Sequence, residues 1–451
     1  MSRQTDGTPH VEPIPEETIL EACGDRELPE LGVVEQVWET DPIPADEVAD
    51  RAAAEVATLD FSAVPDGGEI AVGAGSRGIA NVPELIRGVV EGLTDRGYEP
   101  FVFPAMGSHG GATAEGQREV LEGLGVTEAH VGCEIRATME VEEVGRTPDR
   151  DVPVYSDANA AAADGILPVN RIKAHTDFDG DVESGLSKML VIGMGKQRGA
   201  KMAHEWAVDW SFRNMIPEIA SQILDSLPVV GGVAVVEDQH DDTAIIEGIP
   251  PAGFLGREAE LLEESYEMLP TIPFDEVDVL VVDRAGKDIS GSGMDPNVVG
   301  RRGYGVEPEP ERGPDVSRIF LRGLTPASHG NGTGTGIADF LHADFMGDLT
   351  WQDSVINTLT ASTPKGARIP PTVTSDRAGV VAAHSTIGVV GPEAVRTLRI
   401  TDTMHLEQLY ASPALVEAAR DRDDLRVLEE PEPVAFDEDG QFVAPSPTET
   451  H

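Results

Sequence analysis

Glu69-Ile70-Ala71-Val72-Gly73-Ala74-Gly75-Ser76-Arg77-Gly78 runs from a short apolar strand, Glu69–Val72, into a glycine turn, and Asn81–Leu93 follows with helical spacing. Pro83 falls in the first turn of that helix, where a missing amide hydrogen costs little. Downstream the alternation continues: Pro100–Pro104 reads as a strand, Ala112–Leu124 as a helix, and Asp164–Val169 and Val229–Val236 as apolar strands. Strands alternating with crossover helices of this length predict a largely parallel sheet covered on both faces. Upstream, Ala45–Leu59 has helical spacing. Between the last two strands so does Asp209–Leu227, in which Pro217 is expected to kink or split the helix.

A charged helix between Gly256 and Pro273 leads to a second block. This block restarts with the strand Val277–Val282, continues with a strand near Val316–Leu321 and a helix near Leu349–Leu359, and ends in the helix Ala414–Arg420. Ser412 as N-cap and Pro413 in the first turn announce that last helix. The expected fold class is α/β, with two α/β domains, mainly parallel sheets and an interdomain active-site cleft. The boundaries are an N-terminal domain over 1–265, a C-terminal domain over 275–421 that closes the cleft, and an acidic, disordered tail over 422–451.

Composition narrows the function. The 451 residues carry 81 acidic and 33 basic side chains, a formal net charge of -48. A partner rich in phosphate needs clustered Lys and Arg, so nucleic acid and anionic membrane surfaces are excluded as partners. The acidic residues are spread between well-patterned apolar runs, which describes a solvated surface whose self-repulsion a salt-rich, halophilic cytoplasm would screen. Two cysteines, Cys23 and Cys133, provide neither a disulfide framework nor metal-ligand spacing. No stretch reaches about 18 uninterrupted apolar residues, and the polar N-terminus lacks the core of a signal peptide, so a cytoplasmic protein is expected.

Three turns could carry chemistry. Gly73, Gly75 and Gly78 satisfy the dinucleotide pattern, but no acidic residue ends the following strand, which runs out as Phe103-Pro104-Ala105-Met106. Arg77 inside that turn suits a carboxylate or a phosphate. The second turn, Met106-Gly107-Ser108-His109-Gly110-Gly111, presents His109 at the strand edge where α/β sheets bind ligands. The third region, from Lys173 to His204, gathers four of the chain's six lysines and two histidines, His175 and His204, into thirty-two residues. A Walker A loop is excluded because Gly195-Lys196 is followed by Gln197, and a zincin because Val208 stands where a second histidine is required.

In order and spacing these residues resemble the nickel-pincer-dependent lactate racemases and their homologous epimerases. His109 in Gly-Ser-His-Gly matches that family's first catalytic histidine and His175 its second. Lys188 matches the lysine that tethers the cofactor, and His204, sixteen residues beyond, matches the histidine that completes the nickel coordination. The resemblance implies a racemase or epimerase that inverts the hydroxyl-bearing carbon of a 2-hydroxy acid or sugar acid by transient hydride transfer. Its cofactor would be the nickel-pincer nucleotide, Ni(II) pyridinium-3,5-bisthiocarboxylic acid mononucleotide, tethered to Lys188. Cofactor-biosynthesis enzymes are implied as partners and a small hydroxy acid as substrate.

The chemistry suits the residue types. Inversion with a ketone intermediate needs one base on each side of the carbon, hence two histidines, and imidazole is a sound ligand for Ni(II). Arg77 and Lys287 would bind the substrate, Ser184 and Ser187 are candidates for the cofactor phosphate, and Ser328, His329 and His384 for the cleft wall. The chain departs from the family in Ala74, where an Asp is usual, and in Gly-Leu-Ser-Lys before the tether position, where Gly-Gly-Arg-Lys is usual. Glu237–Asp242 is expected to be a solvated acidic loop. An NAD(P)-dependent dehydrogenase using the Gly73 turn and a non-catalytic nucleotide or organic-anion binding protein are the alternatives.

Overall fold

The computed structural model of the chain describes residues 11–24, 26–76, 78–303 and 308–449. Its fifteen described strands are, in chain order, β1 Leu31–Gln36, β2 Glu69–Ala74, β3 Glu99–Pro104, β4 Val141–Arg146, β5 Pro153–Asp157, β6 Gly165–Arg171, β7 Gly232–Glu237 and β8 Thr243–Ile249. They continue with β9 Glu276–Ala285, β10 Asp315–Leu324, β11 Phe340–His342, β12 Thr372–Val373, β13 Thr397–Ile400, β14 Gln408–Ala411 and β15 Leu425–Glu432. The protein is α/β with mainly parallel sheets, divided into two compact units.

One unit is Thr40–Leu269. Its sheet has the order β3-β2-β6-β7-β8, parallel except for β8, which returns antiparallel beside β7. Strand alternation explains why both faces are dry. Ala71, Phe101, Phe103, Ile166, Ala234 and Val236 point into one core, and Ile70, Val72, Val102, Leu167, Val233 and Val235 into the other. Parallel strands buried on both faces read as near-continuous apolar runs, which is why these were legible. The helices Val48–Thr58 and Val82–Thr94 cover the second face, while Lys196–Trp210, Phe212–Ser226 and Phe254–Glu267 cover the first. Pro217 does not break its helix, which runs from Phe212 to Ser226; the interruption lies earlier, at Ser211, whose φ of 61° ends the preceding helix.

The other unit joins Met1–Glu39 to Pro270–His451. Its eight-stranded sheet has the order β12-β11-β10-β9-β13-β14-β1-β15. The first five strands are parallel, and β14, β1 and β15 continue the sheet antiparallel. The compact units therefore differ from the division at 1–265 and 275–421: the N-terminal segment belongs with the second block because β1 completes its sheet. The region expected to be a disordered tail is ordered through residue 449. β15 pairs with β1, and the rings of Phe436 and Phe442 stack at 5.2 Å. Its acidic composition hid those few apolar anchors. Trp210 is buried in the core, whereas Trp351 is exposed. No helix among the described residues is long and apolar enough to cross a membrane.

Candidate active site

The carboxyl ends of β2, β3 and β6 open onto the three turns singled out by sequence, and the segment after β6 folds back over them. Asn170 at the end of β6 donates its side-chain amide to the Gly185 carbonyl at 2.9 Å. The short helix Leu186–Lys188 then widens into a π-turn at Met189–Gly193. Such widened turns are frequent at functional sites, because one inserted residue re-aims its neighbours. The Gly107 amide donates to the Gly193 carbonyl at 3.0 Å, docking the His109 turn on the π-turn that follows Lys188.

His109 is exposed, and its Nδ1 is hydrogen-bonded with the Ser76 hydroxyl, so the two glycine turns touch. Its loop depends on glycine: Gly110 has φ 63°, and a β-carbon there would lie 2.5 Å from the Gln117 nitrogen. His175 accepts the Asp177 amide hydrogen at Nδ1 over 3.0 Å. An accepting Nδ1 puts the proton of a neutral ring on Nε2. The His175 ring packs on Phe178 at 4.6 Å, Phe178 on Phe212 at 5.4 Å, and the edge of Phe212 on His204 at 5.3 Å. Burial lowers the pKa of His204, and the nearby Lys188 ammonium lowers it further against the opposing pull of Asp177. Lys188 and Asp177 thus lie within electrostatic reach of His204, and His175 is three ring contacts away from it.

Arg77 lies outside the described residues. Lys287 belongs to the other unit, after the carboxyl end of β9, where its amine donates to the Gly291 carbonyl and its amide to the Ser328 hydroxyl at 2.8 Å.

Other expectations are corrected. Ser187 is not presented to a phosphate. It is buried, and its amide and hydroxyl both donate to the Glu258 carboxylate, which fills the start of that short helix. A β-carbon at Gly185 would collide with that same carboxylate, so any larger residue there would have to displace Glu258 from Ser187. Ser184 is engaged through its backbone with Lys173 at 2.9 and 3.2 Å. Glu237 is no solvated loop residue: it pairs with Arg171 and accepts the Ala80 amide hydrogen at 2.6 Å, tying the end of β6 to the first glycine turn. Asp238 is likewise buried, and its carboxylate accepts the His240 and Asp242 amide hydrogens at 2.9 and 3.1 Å. His384 packs in its own unit, bonded to the Val380 carbonyl at 2.7 Å and the Thr397 hydroxyl at 2.8 Å.

Sequence reasoning missed the carboxylates that hold this edge together. Glu183 accepts the His175 amide hydrogen at 2.6 Å, the Gly180 amide hydrogen at 3.1 Å and the Tyr266 hydroxyl at 2.9 Å. Burial raises the pKa of Glu183 to about 7, and burial does the same for Glu258. Among the described residues no three His, Cys, Asp or Glu side chains gather to hold a metal by themselves. A metal beside His204 would need donors brought by a cofactor. A neutral imidazole and an adjacent amine fit such a group, since metal binding requires the unprotonated ring.

No protein-family model and no curated protein matches the chain. Among solved structures, a structural-genomics protein from Thermotoga maritima is similar with a TM-score of 0.45 at 14% identity, over 76% of this chain and 84% of that one. The lactate racemase apoprotein from Thermoanaerobacterium thermosaccharolyticum is similar with a TM-score of 0.44 at 12% identity, over 87% of this chain and 96% of that one. Likenesses of this strength transfer no function, and the chemistry has to be read from the side chains.

Proposed function

We propose that the chain is an isomerase, a racemase or epimerase that inverts the hydroxyl-bearing carbon of a 2-hydroxy acid or related sugar acid. The observation that carries this reading is the run of ring contacts from His175 through Phe178 and Phe212 to His204, on the sheet edge where the His109 turn docks on the π-turn that follows Lys188. In this reading Lys188 tethers a nickel-pincer nucleotide and His204 completes its metal coordination. When bound, that group supplies a hydride acceptor, which the side chains of this chain lack.

The chain's own residues handle protons and orientation. His109 and His175 come from different turns, so each can face one side of a substrate carbon and exchange the hydroxyl proton there. Nδ1 of His175 is committed to the Asp177 amide, which leaves Nε2 as the exchanging atom. Nδ1 of His109 is engaged by Ser76, so Nε2 is again the working nitrogen. Burial keeps His204 neutral and therefore able to coordinate a metal at lower pH than a solvated imidazole. Arg77 is assigned to the substrate carboxylate, and cofactor-biosynthesis enzymes are the partners this reading requires.

Protein purified from its native host tests the proposal. Stoichiometric nickel, a mass adduct on the peptide containing Lys188, and interconversion of hydroxy-acid stereoisomers support it. An unmodified polypeptide without nickel, showing absorbance changes with soluble nicotinamide, transfers the reading to a dehydrogenase.

A further inference from the structure

Lys196 is the one lysine of the basic segment that the chemistry above does not use and solvent does not reach. Its side chain is 0% exposed, and so is that of its partner Asp157, whose Oδ2 lies 2.9 Å from the amine. The amine also donates to the Pro104 carbonyl at the end of β3 and to the Gln117 side-chain oxygen at 3.0 Å. Gln117, itself fully buried, turns its amide nitrogen to the carbonyls of Gly107 at 2.8 Å and His109 at 3.4 Å. An unbroken chain of polar contacts thus runs from Asp157 through Lys196 and Gln117 into the backbone of the His109 turn.

Two further observations make this more than a buried ion pair. Lys196 has φ 52°, a left-handed conformation that a non-glycine residue adopts only when its surroundings hold it there. It also opens the helix Lys196–Trp210 that carries His204 roughly 12 Å further along its axis. One amine therefore fixes the end of β3 and, through Gln117, the His109 turn against the start of the His204 helix. Buried ion pairs contribute little net stability compared with apolar packing of similar volume, so specificity of placement is the better account.

We propose that Lys196, neutralised by Asp157 and relayed by Gln117, is a positioning residue that sets His109 relative to His204. The structural part stands on the geometry alone, while its catalytic consequence rests on the racemase reading. The first test is Gln117→Met, which keeps the volume and removes the relay without leaving a buried charge. The second is the double variant Lys196→Met/Asp157→Asn, which removes both charges together. Protein labelled with ¹⁵N in histidine reports each ring, with His109→Ala used for assignment, and this readout needs no cofactor.

In both variants the His109 ring nitrogens are expected to shift and the His109 titration midpoint to move, while His384 in the other unit stays where it was. In loaded enzyme, turnover should fall about 10- to 100-fold, in line with the cost of misplacing one acid–base group, with KM little changed. A folded Gln117→Met protein whose His109 shifts and titration coincide with the parent overturns the proposal. Loss of the fold in both variants overturns it too, because the trio would then serve stability alone. A parent without hydroxy-acid turnover ends the racemase reading and leaves the ring measurement to judge the positioning claim.

Discussion

The carboxyl-end regions of the two parallel sheets are built on opposite electrostatic plans. Across β10, β9 and β13, Arg322, Asp283 and Arg399 form a closed set with Asp376. Arg322 bonds Asp376 at 2.6 and 2.7 Å and Asp283 at 2.8 Å, and Arg399 grips Asp283 with contacts of 2.9 to 3.2 Å. Phe442 lies over both guanidinium groups, at 4.2 and 5.1 Å. Every charge there is answered by an opposite charge. Along the edge of β2, β3 and β6 a buried carboxylate and a partly buried imidazole are displaced toward neutrality: His204 is pushed down and Glu183 up to about 7. The same sheet geometry serves anchoring in one unit and, in the proposed reading, proton chemistry in the other. The difference lies in how fully each charge is compensated.

The largest effect that tests this contrast is chemical. Lys188→Ala should abolish both the mass adduct and turnover while leaving the urea midpoint within the range of an ordinary surface substitution, about 0.5 kcal/mol. His109→Ala and His175→Ala should each lower turnover by about 10²- to 10⁴-fold, the usual contribution of a positioned acid–base group, with nickel content retained. A Lys188→Ala protein that unfolds instead would place this edge in the same anchoring class as the other.

Arg399→Met should behave in the reverse way. It strips a buried carboxylate of its principal partner, which costs about 3 to 5 kcal/mol, and Arg399 is only 2% exposed. Chemical denaturation measures this directly. Nickel binding by the folded fraction should be unaffected, and a neutral result would show that Arg322 alone can hold Asp283.

Titration gives a smaller, signed effect. Glu183 and Glu258 have folded-state values raised by burial from the ordinary 4.5 to about 7. The folded state therefore binds more protons than the unfolded chain between those values, and stability falls as pH rises through that window. The loss is on the order of a few kcal/mol for the two groups together. Glu258→Gln should flatten the slope, because a neutral amide has no ionisation cost. His204 acts in the opposite direction: its lowered value favours the fold above 6.5 and loses that contribution as pH falls through the folded value. A steeper slope in Glu258→Gln would contradict the assignment of burial as the cause.

The parallel core was legible because doubly buried strands such as Ile70–Val72 and Val233–Val236 read as apolar runs. The antiparallel strands β14 and β15 escaped, since β15 is an acidic stretch held by pairing and by neighbours, not by its own apolar pattern. The sequence offered His109, His175, Lys188 and His204 as types at spacings; His109 and His175 fall in loops after the strands β3 and β6, while Lys188 and His204 fall on helices. Their supports were not: Glu183, Glu258 and Gln117 look like surface residues in a chain so rich in acid, and only tertiary burial gives them a role. Lys196 left one signal, a lysine in a chain with six, which spacing alone could not separate from Lys188.

Salt separates the two kinds of charge most finely. The net charge of -48 acts over a surface whose repulsion is screened within about 10 Å at 0.1 M salt and about 3 Å at 1 M. Overall stability should therefore climb with potassium chloride, and a protein already fully stable in dilute buffer would rule out surface repulsion as a large term. The energetic cost of Arg399→Met should change little over the same range, because its partners are shielded from mobile ions. If that cost instead shrank in step with the overall gain, the Asp283–Arg399 set would be exchanging with solvent. Its closure, and with it the contrast with the Lys188 edge, would have to be given up.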